Sequence, residues 1–172
     1  MNSVQMHLAL THVPVVLSLV GLIMLVVAFF IKNSTITKTS YILIVIAGIA
    51  ALPVFFTGEG AEEAIENLPG VSEAIIERHE DVAKLTMISI AVAGLAALTA
   101  LFSFRRQIAT RVSKVVVLLL AIASGGLMAQ TAHLGGQIRH TEIRNSVAFQ
   151  NGNENGGQNE GNAGQQQEED DD

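Results

Sequence analysis

Histidine is the residue type in this chain best suited to chemistry. There are five, placed in order as His7 and His12, then His79, then His133 and His140. Neutral imidazole is the commonest protein ligand of transition metals and an axial ligand of haem iron. The last pair closes the stretch Ala132-His133-Leu134-Gly135-Gly136-Gln137-Ile138-Arg139-His140, where a separation of seven residues, about two helical turns, puts both rings on one helical face. The chain has no cysteine, which excludes a disulfide framework, a Cys-ligated zinc site, an iron–sulfur cluster and covalent c-type haem attachment. Redox chemistry here would therefore need histidine or methionine ligands. Met6 and Met128 are soft donors, although methionines in such helices usually fill the core.

Other chemistries lack their residues. There is no Gly-rich phosphate loop, no His-Glu-x-x-His zinc helix and no setting for a nucleophilic serine. This disfavours a hydrolase or nucleotide enzyme and leaves open whether the chain is an enzyme at all. The net charge of -6 owes much to residues 154–172, which hold seven of the sixteen acids. The rest is close to neutral, and nucleic acid is not an expected partner.

The elements that must position the histidines are membrane spans. With 172 residues, 49% of them hydrophobic, and a mean hydropathy of +0.43, the chain is too apolar for an ordinary soluble domain. Residues 8–31 contain no Asp, Glu, Lys or Arg over 24 positions, enough at about 1.5 Å per residue to cross a hydrocarbon core of about 30 Å. No Lys or Arg precedes this run and no Ala-x-Ala-like cleavage site follows it, so it reads as a span and not a cleaved leader. Pro14 predicts a helix start near His12 or a kink there. Residues 32–38 read as a connection. A second, shorter span covers about 41–57, with Tyr41 suited to an interfacial anchor and Pro53 predicting a bend or an early end.

Residues 57–81 carry eight acids against Arg78 and read as a solvated loop with a short amphipathic helix near residues 61–68. Ser72 then caps a new helix that has Glu73 in its first turn. If that helix runs unbroken into the third span, about 82–104, then Ile75, Ile76, His79, Val82 and Ala83 share its inward face. The fourth span covers about 115–134. The predicted fold is thus an all-α bundle of four transmembrane helices in residues 1–148. Residues 149–172, almost wholly Asn, Gly, Gln, Glu and Asp, follow as a disordered acidic tail.

Orientation follows from charge. The segments 32–38 and 105–114 hold six of the ten Lys and Arg residues and no acid, which places them in the cytoplasm. Both termini and the acidic loop are then extracytoplasmic, and all five histidines fall at the outer ends of spans one, three and four. His12 and His133 lie deepest in their apolar runs, and His7, His79 and His140 further out. This predicts His12 and His133 as first-choice ligands of a b-type haem or a metal ion, with the other three as a second tier. Gly125, Gly126, Ala129, Ala132, Gly135 and Gly136 would let a flat macrocycle approach the fourth helix, although small residues equally serve helix packing.

Three functional readings follow. The first is a redox or electron-transfer subunit whose partners are the lipid bilayer and a periplasmic electron carrier or respiratory membrane complex. The second is a non-enzymatic scaffold or assembly protein in which the histidines hydrogen-bond between helices. Periplasmic copper or zinc capture ranks behind both, because closed sites add carboxylate or thiolate ligands in defined geometry. No charged residue lies at the middle of a span, so a transporter is disfavoured.

His7-Leu8-Ala9-Leu10-Thr11-His12-Val13-Pro14, Thr57-Gly58, His79, and His133-Leu134-Gly135-Gly136 with His140 resemble a bacterial four-helix membrane family catalogued as domain of unknown function 2231. The resemblance covers residues 5 to about 145 and rests on three histidine motifs in the same order. It implies an integral protein of the cytoplasmic (inner) membrane without an assigned activity. Members joined to cytochrome c-like domains imply redox company. This chain carries no such domain, so an electron partner would be a separate protein.

Overall fold

The computed structural model of the protein describes residues 3–68, 71–102 and 107–139. Among them there are four helices, α1 (Ser3–Ile31), α2 (Ser34–Glu62), α3 (Glu73–Phe102) and α4 (Gln107–Arg139), and no strand. All four are long and apolar enough to cross a bilayer. This fits an integral membrane protein built as a four-helix bundle. The predicted tail at 149–172, and His140, lie outside the described residues.

The interior is made of small side chains. Ala28, Ala47, Ala93 and Ala97 are fully buried, while Leu19, Ile49, Leu95 and Leu119 face outward. In lipid no hydrophobic gain comes from hiding a leucine, so helices associate through close backbone approach and van der Waals contact, which small residues permit. Gly48 and Gly94 mark the α2–α3 crossing: a Cβ on Gly48 would lie 3.2 Å from the Ile90 carbonyl oxygen. Gly21 does the same for α1 on α2, where a Cβ would meet Ile44 at 3.0 Å. Tyr41, Leu25, Ile44, Ile90 and Val117 fill what is left.

The helices run up and down around a ring in chain order. α1 packs on α2, α2 on α3 and α3 on α4, and the α4–α1 seam is the sparsest. The α3–α4 seam is stitched by hydroxyl pairs, Thr86 with Thr131 and Ser89 with Ser124, each at 2.8 Å. Across the α4–α1 seam, Ser18 donates to the Met128 sulfur at 3.2 Å.

Several expectations change. The connection predicted over 32–38 shrinks to Lys32 and Asn33. Lys32 takes the left-handed conformation at φ 55°, and Asn33 caps α2 through Oδ1, which accepts from the Thr35 and Ile36 amides at 2.8 and 3.1 Å. The cap lets α2 begin about two turns before Tyr41, so that Tyr41 is fully buried with its hydroxyl toward Ser113, and is not an interfacial anchor. At 29 residues α2 is no shorter than α1, and it runs through Pro53 to Glu62. α1 likewise runs through Pro14 from Ser3. A proline interrupts one backbone bond, and packing on a neighbouring helix holds the rest. In the acidic segment, α2 and α3 extend toward each other. Hydrogen-bonded turns from Glu62 to Leu68 stand where a separate short helix was expected. α3 does run unbroken from Glu73, with the Ser72 backbone carbonyl accepting from the Ile75 and Ile76 amides.

Candidate functional site

The four described histidines, His7, His12, His79 and His133, lie where α1 and α3 begin and α4 ends. His7 belongs to the inward stripe of α1, at seven-residue intervals with the buried Pro14, Gly21 and Ala28. Its Nδ1 lies 3.0 Å from the Val54 carbonyl oxygen of α2 and 3.3 Å from Thr57 Oγ1. Thr57 keeps its own hydroxyl hydrogen on α2, with the Pro53 and Val54 carbonyls at 2.8 and 3.0 Å. His79 occupies the inward stripe of α3 between Ile76 and Thr86, and its Nδ1 lies 3.0 Å from the Thr131 carbonyl oxygen of α4.

A carbonyl oxygen only accepts. Both rings must therefore carry hydrogen on Nδ1, which leaves the Nε2 lone pair of each uncommitted by these bonds. Each ring lies against a glycine one turn beyond its carbonyl partner. A Cβ on Gly58 would sit 3.5 Å from His7 Cε1, and one on Gly135 would sit 3.3 Å from His79 Cε1. The two imidazoles, on diagonally opposed helices, are within electrostatic reach of each other. Tying off Nδ1 on a carbonyl is how proteins fix the tautomer and ring orientation of a ligating histidine.

The pair sits at the polar rim of the bundle. Next to His79 on α3, Glu80 forms a half-exposed ion pair with Lys84 at 3.0 Å. Glu62 lies within electrostatic reach of Glu80, Glu66, Glu59 and Lys84. A negative rim of this kind favours cationic visitors.

His12 and His133 are placed differently. Both lie on exposed helix faces. His12 turns Nδ1 back onto the Leu8 carbonyl of its own helix at 2.8 Å. His133 Nε2 accepts from the Gln137 amide group at 2.9 Å, also within its own helix. Depth along the apolar run put these two first, yet both face outward while His7 and His79 are part-buried, because a helix turns about 100° per residue and an end position says nothing about side. The inward pair consists of His7 and His79. Sequence reading passed over the carbonyls of Val54 and Thr131, which have no sequence signature. The interval of seven from His7 to Pro14, Gly21 and Ala28 was the available clue.

Among the described residues, no group of three or more His, Cys, Asp or Glu is arranged to hold a metal ion. No protein-family model, curated protein or solved structure matches this chain.

Proposed function

We propose that the protein is a redox or electron-transfer subunit of the bacterial cytoplasmic membrane, binding a b-type haem or a transition-metal ion through His7 and His79. The observation that carries this reading is the shared preparation of the two rings: Nδ1 of each is committed to a backbone carbonyl on the neighbouring helix, which leaves Nε2 as the donor. The donor set suits the group, since imidazole is a borderline ligand that takes iron, copper and zinc. The bound group would supply electron transfer. The chain's own residues hold the tautomer, aim the rings and, at Gly135, leave room for His79. The motif resemblance to domain of unknown function 2231 supports the membrane setting, and the basic segments 32–38 and 105–114 support an extracytoplasmic site.

The second reading is favoured by the same two bonds. His7 ties α1 to α2 and His79 ties α3 to α4, which is what histidines in a purely structural scaffold would do. Reduced-minus-oxidised absorption and elemental analysis of the detergent-purified protein, expressed with ample haem supply, separate the two. Haem bands or stoichiometric metal that disappear in His7→Ala and His79→Ala support a redox site. Absence of any cofactor, together with lowered thermal stability of both variants, supports the scaffold.

A further inference from the structure

The two hairpins repeat one device. In α1–α2, His7 on the first helix meets the carbonyl of Val54 on the second, 47 residues on, and its ring rests on Gly58. In α3–α4, His79 meets the carbonyl of Thr131, 52 residues on, and its ring rests on Gly135. In both cases the glycine follows the carbonyl residue by four, a single helical turn. In a ring of four helices alternating up and down, a half turn about the bundle axis carries α1 onto α3 and α2 onto α4. The same half turn makes His7 equivalent to His79, Val54 to Thr131, and Gly58 to Gly135. Two equivalent imidazoles from diagonal helices, each with Nε2 as its free donor, suit one centre that takes a single ligand from each side.

The number of donors then narrows the centre to one that two imidazoles complete, haem iron or two-coordinate copper(I). A zinc or copper(II) site built from protein alone takes three or four ligands, and among the described residues no such group is assembled. Haem iron receives four equatorial nitrogens from its macrocycle and needs two axial ligands, the number that this pair supplies.

Resting on the metal-centre reading above, we propose that one haem b is held between the two half-bundles, with His7 and His79 as equivalent axial ligands. Titration of the purified full-length protein with hemin, monitored by absorption and electron paramagnetic resonance, is the test. The expected result is one hemin per chain with a six-coordinate low-spin spectrum. His7→Ala and His79→Ala should each convert it to a high-spin form and weaken hemin binding by at least about tenfold, to the same degree. Added imidazole should restore the low-spin spectrum in both, which distinguishes ligand loss from misfolding. His12→Ala and His133→Ala should leave spectrum and affinity unchanged.

Parallel titrations with copper(I) and zinc(II) separate the two levels of inference. If either ion binds one per chain through His7 and His79 while hemin does not, the haem assignment is overturned and the metal-centre reading stands. A low-spin spectrum that survives either inner-histidine variant, or that needs His140, overturns the equivalence. If neither hemin nor any ion binds, both readings are overturned.

Discussion

The His79 ring lies tight against Gly135, whereas a Cβ on Gly58 would stand at an ordinary contact distance of 3.5 Å from His7, so Gly135 is the glycine that its imidazole depends on. A valine at 135 would bring atoms against His79 from a Cβ only 3.3 Å from its Cε1. Gly135→Val is therefore expected to break the bond to Thr131 and lower cofactor affinity about 10- to 100-fold. Nitrogen-15 NMR of histidine-labelled protein gives an independent check. His7 and His79 are expected as Nδ1–H tautomers in the cofactor-free protein, and Nε2–H signals from either would contradict the geometry. That imidazoles stand near helix ends was legible from residue type and position alone. Which imidazoles point inward was not, because His7 and His12 are both near the start of the same apolar run and differ only in rotation about the helix axis.

Helix ends here are decided by caps, and helix crossings by glycines. Asn33 satisfies two otherwise unpaired amides at the start of α2, so Asn33→Ala is expected to cost about 1 kcal/mol, read as a lowered thermal midpoint in detergent. At the α2–α3 crossing the nearest obstacle to a side chain on Gly48 is the backbone oxygen of Ile90, which cannot swing aside. Gly48→Val is accordingly expected to lose roughly 1–3 kcal/mol by forcing the helices apart. Apolar runs located all four helices, since a stretch free of charge is the signature of a span. The helices run on beyond those apolar runs into the polar segments. At 32–38 the charged and hydroxyl residues read as a loop, yet Thr37 and Ser40 are buried, their hydroxyls donating to the carbonyls of Asn33 and Thr37 at 2.8 Å each. A helix can absorb hydroxyls by turning them onto its own backbone, so polarity by itself does not stop one.

At the scale of the molecule, large aliphatics outside and alanine, glycine and serine inside suit lipid as the surrounding solvent. Four crossings put the histidine rim and the Lys32–Asn33 turn on opposite faces. The absence of native cysteine makes this directly measurable. Ser3→Cys and Glu66→Cys are expected to react with an impermeant maleimide added outside intact cells, and Asn33→Cys only after the membrane is opened. The reverse pattern would place the histidines in the cytoplasm and remove a periplasmic electron partner. Composition and hydropathy determined the helical class, the four apolar helices and the placing of His7, His12, His79 and His133 near helix ends, because each depends on one-dimensional runs of residue type. The inner pair, its tautomer and its repetition in the two hairpins were decided only by tertiary structure. Those properties depend on the rotation of each helix and on backbone carbonyls brought from 47 and 52 residues away, and a carbonyl is the same group at every position in the chain.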